Sequence, residues 1–181
     1  GTSAGQAIRA ILLNPATEMV DMADMFMFQA DRAQHCAEVI KPALGRKEIV
    51  VSDRFYWSTM AYQGYGAGVS MEALRAMTAY ATDGIEPDIW FVLDLDPEVG
   101  FGRKHGDAYD RFEQKKIDFH HRVRQGFLEL AAGNDRAIVI NADAPSQVVT
   151  NAILSHLAKR LNLKHHPALD PFIGVDRFAG P

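Results

Sequence analysis

A chain of 181 residues, 48% hydrophobic and 23% charged, is long enough for one domain with a substantial core and has an ordinary globular composition. Its net charge of −4 and pI near 6.0 give no electrostatic case for a nucleic-acid or anionic-membrane partner, so an anionic ligand must be caught by local Arg and Lys clusters. A single cysteine, Cys36, excludes an internal disulfide, and no run nears the ~18 apolar residues of a membrane span or shows a signal-peptide pattern, so a reducing cytoplasm is expected.

Gly1-Thr2-Ser3 opens the chain without a methionine and reads as a processed or internal end. The first helical period is long and Met-rich, over residues 18–44, and stops near Pro42 and Gly45. Cys36 falls inside it, where it reads as a small buried apolar residue. Phe28 and Arg32 are four apart in this stretch and share a face. A ring beside a guanidinium can stack a planar base and hydrogen-bond its edge; taken alone, the pair reads more simply as a core ring and a solvated charge.

Residues 48–52 form an apolar run that predicts a buried parallel strand. Asp53 and Arg54 follow at its carboxyl edge. There a carboxylate can hold a metal ion and a guanidinium can fork onto phosphoryl oxygens, although a structural ion pair is an equal reading. The phosphate-cradling pattern G-x-x-x-x-G-K-[ST] does not occur in the sequence. Next, Ser58-Thr59-Met60-Ala61-Tyr62-Gln63-Gly64 offers small hydroxyls and an amide that could read polar base edges.

Ser70 is a good N-cap for a helix over 70–82. A second buried strand is predicted over 88–95, and Asp96-Pro97-Glu98 starts a helix directly after it. Between that helix and the next lies Gly102-Arg103-Lys104-His105-Gly106-Asp107-Ala108-Tyr109-Asp110-Arg111-Phe112-Glu113. Its cations and glycines have the composition of a lid over phosphates, or of a plain connection with solvated charges. A helix over 111–132 places Phe112, Phe119, Val123, Phe127 and Leu130 on one face. A third strand is predicted over 136–141, and a helix over 145–161 carries Val149, Ile153, Leu157 and Leu161 on its apolar side. Residues 162–171 read as a linker whose His165 and His166 are solvated. Residues 172–181 (Phe172-Ile173-Gly174-Val175 onward) read as the opening of a second P-loop domain or as an ordinary tail. Strands alternating with helices predict an α/β layered fold with right-handed crossovers.

Together these segments, in this order and spacing, resemble bacterial thymidylate kinases from Gly1 to about Leu161. The shared motifs are Phe28-x-x-Asp31-Arg32-Ala33-Gln34-His35, Val39-Ile40-Lys41-Pro42-Ala43-Leu44, Asp53-Arg54-Phe55, Ala61-Tyr62-Gln63-Gly64, the run from Pro87 to Gly100, and Asp110-Arg111-Phe112-Glu113. Other P-loop nucleoside monophosphate kinases share the architecture but not this set. The resemblance implies a three-layer fold around a central parallel sheet. Its usual N-terminal strand, P-loop and helix are not found in these residues, and Gly1-Thr2 matches the end of the family's Arg-Glu-Pro-Gly-Gly-Thr motif.

The resemblance further implies transfer of the γ-phosphoryl of ATP to dTMP with Mg²⁺, in a homodimer. Phe28 would stack on thymine, Arg32 would bond its carbonyl edge, and Thr59 and Gln63 would complete base recognition. Tyr62 would pack beneath a deoxyribose, Arg54 would hold the acceptor phosphate, and Asp53 would organise the Mg²⁺. Arg103, Lys104 and Arg111 are the lid cations for the transferred phosphoryl. These residues alone, without the P-loop, are expected to be inactive. A kinase for another nucleoside monophosphate and a non-catalytic nucleotide-binding homologue are the alternatives.

Overall fold

The computed structural model describes residues 1–103 and 109–162. Lys104 and the rest of 104–108, and all but the first residue of the expected linker and tail, lie outside the described residues. Eight α-helices and two strands follow in chain order among them.

Helix α1 (Ser3–Leu13) was not expected from the sequence. Its start is set by Thr2, whose Oγ1 accepts the Gly5 N–H at 2.9 Å and satisfies one of the free donors of the first turn. The long helix expected over 18–44 is present with a defect. Helix α2 (Asp21–His35) runs through a π-helical turn at Cys36–Ile40 into α3 (Lys41–Gly45). Pro42 cannot donate to the preceding turn and crowds its carbonyls, and the backbone widens so that the Lys41 N–H reaches the Cys36 carbonyl.

Helix α4 (Tyr56–Thr59) continues into a longer π-helical stretch, Met60–Gly66. Helix α5 (Met71–Thr82) starts on Ser70 as predicted. Strand β1 (Trp90–Asp94), α6 (Pro97–Gly102), α7 (Ile117–Ala131), β2 (Ala137–Asn141) and α8 (Ser146–Arg160) complete the order. β1 and β2 pair in parallel, Trp90 opposite Ala137 through Asp94 opposite Asn141, with helices in the crossover between them.

Three expectations need correction. Residues 48–52 make no ladder among the described residues; Ile49 and Val51 are 82% and 91% exposed, and only Val50 turns inward. An apolar run becomes a strand only beside another strand, and among the described residues β1 pairs with β2 alone. Cover over the sheet is also only partial on each face: Val92 and Ile140 are buried, while Val139 and Leu93 opposite them are 48% and 50% exposed. Finally, the helix predicted from residue 111 begins at Ile117. Asp110 accepts the N–H groups of Phe112 and Glu113 at 2.8 and 2.9 Å, Glu113 accepts that of Asp110, and this capped turn ends at the extended Lys116.

The core sits where α4 and α7 meet β1. Trp57 stacks flat on Trp90 with centroids 4.2 Å apart, alongside Met60, Val92 and Ala131. Close approach of α7 to the 60–66 stretch requires glycine on both sides: a Cβ at Gly66 would lie 2.6 Å from the Phe119 ring, and one at Gly126 2.6 Å from Tyr65. No helix among the described residues is long and apolar enough to cross a membrane.

Candidate active site

Helix α2 turns Arg32 toward the segment 53–63, Phe28 toward Phe112, and Gln29 toward α5, where its amide donates to the Thr78 hydroxyl at 2.8 Å. Arg32 reaches across to Thr59, its terminal nitrogen donating to the hydroxyl at 2.6 Å, and its Cζ lies 5.3 Å from the centre of the Phe55 ring. Thr59 is buried at 2% exposure. Burial lowers the Arg32 pKa to about 10, with the charges of Cys36 and Asp31 opposing, so the guanidinium stays cationic at neutral pH. Its Nε is buried and has no hydrogen-bond acceptor, and the Oε1 of the neighbouring Gln29 is likewise unpartnered. A buried charged donor without an acceptor is costly and invites one.

The Asp53–Arg54 pair sits at a bend. Arg54 has φ of 68°, a left-handed conformation that costs a side-chain-bearing residue roughly 1–2 kcal/mol. The bend is braced by the Ser52 hydroxyl donating to the Arg54 carbonyl at 2.7 Å. The Arg54 guanidinium lies 5.3 Å from the Tyr62 ring centre. Burial works to lower its pKa, but Tyr62, Asp53 and Asp110 outweigh that, and the net shift is upward. Asp53 itself is exposed.

Phe112 links these parts. Its ring centre is 5.6 Å from Phe28 and 6.1 Å from Tyr62, so the three rings form one wall. Arg111 lies over Phe112, donates through Nε to the Leu12 carbonyl at 3.1 Å, and forms an ion pair with Asp24 in which both side chains are largely buried. Through these contacts the structure brings Phe28, Arg32, Arg54, Thr59 and Tyr62 together with Phe55, Phe112 and Arg111. Gln63 is buried in the same π-helical stretch. Arg103 stands elsewhere, bound to the Ala142 carbonyl and the Asp143 carboxylate beyond β2.

The sequence reading missed Phe55 and Asp24 as members of the site. Phe55 shares the Asp53-Arg54-Phe55 motif, so proximity was a usable signal. Asp24 had none, because its partner is 87 residues away. At the carboxyl end of β1, Asp94 holds Arg124 in a two-pronged ion pair at 2.8 and 3.0 Å, pushing the Arg124 pKa up, and Asp96 takes the remaining prong at 2.9 Å. Asp96, Glu98 and His121 lie close enough to share a cation, but His121 and Glu98 already bond each other at 3.2 Å.

Comparison with known proteins bears on the family and the fold. The family model described as thymidylate kinase matches residues 1–153. The thymidylate kinase of Carboxydothermus hydrogenoformans is 44% identical over 149 residues, covering 82% of this chain and 73% of that one. That of Solidesulfovibrio magneticus is 42% identical over 171 residues, covering 89% and 82%. Among solved structures, thymidylate kinase from Ehrlichia chaffeensis superposes with a TM-score of 0.70 at 31% identity, over 87% of this chain and 76% of that one. On its motifs, its fold and these likenesses, the chain belongs to the thymidylate kinase family.

Proposed function

We propose that the cleft between α2 and the 53–63 segment is the acceptor half of a dTMP kinase, which moves the γ-phosphoryl of ATP onto dTMP to give dTDP. The observation that carries this reading is Arg32. It is a buried cation fixed by Thr59, beside the half-buried Phe28 ring, with an Nε that lacks an acceptor. A pyrimidine on Phe28 would place a ring carbonyl against that donor, with Thr59 and Gln63 beside the remaining edge. Tyr62 would lie under the sugar, favouring deoxyribose, and Arg54 would fork onto the acceptor phosphate.

Phosphoryl transfer depends on alignment and charge compensation more than on covalent chemistry. Of the three cations Arg103, Lys104 and Arg111, the first two are proposed for that compensation, Arg103 only after it leaves Asp143, because Arg111 is held by Asp24 and the Leu12 carbonyl. Asp53 fits Mg²⁺, which takes one or two carboxylates with water and substrate oxygens, and its exposed carboxylate is free of any ion pair among the described residues. Bound there, the ion would offset charge on the phosphates. Because the 181 residues contain no P-loop pattern, they are proposed to bind the acceptor without turnover when assayed alone.

A homodimer and a cytoplasmic setting go with this reading. Met22 and Phe26, at 46% and 55% exposure, share a face at the start of α2 just after the exposed Val20 and offer apolar surface to a second copy. Calorimetric titration with dTMP, dUMP and dCMP tests the acceptor: dTMP should bind tightest, and equal or tighter dCMP binding would turn the reading to another nucleoside monophosphate kinase. Robust ADP release by the 181-residue chain would sink the claim of inactivity.

A further inference from the structure

Asp24 lies in the first turns of α2 and is 2% exposed, so its carboxylate is almost wholly removed from water. Its partner, Arg111, has a side chain 12% exposed. A buried ion pair contributes little net stability against an apolar alternative, because desolvating both charges offsets their attraction. Its value lies in direction: a fork has one geometry. Here the fork is divided, with one nitrogen on Asp24 and Nε on the Leu12 carbonyl at 3.1 Å, so Arg111 ties the 110–113 turn to both α1 and α2.

The turn is already shaped locally by the reciprocal Asp110 and Glu113 bonds. What local bonds cannot set is where the turn docks. Arg111 packs over Phe112 at 4.8 Å, and Phe112 in turn meets Phe28 and Tyr62. One helical turn before Asp24, Asp21 faces Lys115 at 3.9 Å and aligns the same two segments, though that pair is exposed and weak. The contacts thus run from Asp24 through Arg111 and Phe112 to Phe28, where the base would stack.

We infer that Asp24 is a positioning residue for acceptor recognition: through Arg111 it docks Phe112 and so sets the aromatic wall of the base cleft. This rests on the acceptor-site reading above, and it gives Arg111 an anchoring role in place of contact with the transferred phosphoryl. The test uses the 181-residue chain and its D24N, D24E and R111Q variants. The readouts are the ring-to-ring NOE between Phe28 and Phe112, the dTMP Kd of the folded protein, and the Tm.

D24N and R111Q should each lose the NOE and weaken dTMP binding about tenfold, the double variant no more than either, and D24E should recover most of it. A lower Tm with the NOE and Kd unchanged would mean that the pair only supports the fold, and would overturn the inference. Should D24N not fold, R111K carries the same expectation. It keeps a charge opposite Asp24 but cannot divide a fork between Asp24 and the Leu12 carbonyl, and an unchanged NOE there overturns it equally. A folded wild type that shows the NOE but does not bind dTMP would sink the acceptor-site reading, while the NOE in D24N still decides whether Asp24 positions Phe112.

Discussion

Two regions of this molecule are packed very differently. Among α2, the 56–66 segment and α7, Met25, Trp57, Thr59, Ala61 and Phe119 are buried, and even the charged Asp24 is held away from water. Elsewhere, α8 has no fully buried residue, Leu93 and Val139 are half exposed, and 49–51 stands largely in solvent. Both regions carry apolar runs in sequence, although the apolar face of α8 is less sharply set off than those of α2 and α7. The difference teaches that periodicity supplies faces, whereas burial depends on which other faces arrive. It also places dense packing where, on the proposed function, a base and a phosphate would be held to within fractions of an ångström.

The largest expected contrast is in stability. Trp57→Ala removes a ring at 4% exposure that stacks on Trp90 and should cost about 3–5 kcal/mol by urea unfolding. Leu157→Ala on α8 should cost under about 1 kcal/mol. Comparable losses for the two would erase the distinction between dense and thin regions.

Next comes binding. Arg32→Met keeps the length of the side chain but removes the charged donors, and dTMP affinity should fall by about 1.5–3 kcal/mol, read by calorimetry, with a smaller change in Tm. Undiminished binding would remove Arg32 from the cleft's function.

The third effect is on pH dependence. Burial lowers the His120 pKa below its ordinary 6.5, against the backbone groups and carboxylates that raise it. Below pH 6.5 the unfolded chain therefore takes up a proton more readily than the folded one. The stability contribution is complete above that pH and is lost as pH falls through the folded value. His120→Phe, whose ring fits between Phe101 and Phe119, should flatten the decline of Tm below pH 6.5; an unchanged slope would assign acid sensitivity elsewhere.

Smallest of all, Val51→Thr should shift stability by less than about 0.5 kcal/mol, since Val51 is 91% exposed. A loss above about 1 kcal/mol would show that 49–51 is covered in solution.

Much of this was legible from residues close together in the chain. The Ser70 cap, the Asp96-Pro97-Glu98 start, the faces of α2 and α7, and the Phe28/Arg32 spacing are all properties of a few turns of helix or one short run. The motifs around Asp53-Arg54 and Ala61–Gly64 located the cleft for the same reason. Tertiary structure decided the rest. Residues 48–52 had the composition of a strand, but strand formation belongs to a pair of segments and cannot be read from one of them. Helix α7 began late because the bonds between Asp110 and Glu113 closed a separate turn first. Asp24 looked like any acidic residue near a helix start until a guanidinium 87 positions away reached it. Local chemistry determined which residues could serve the site; only the meeting of distant segments decided which of them are buried, charged and held in one place.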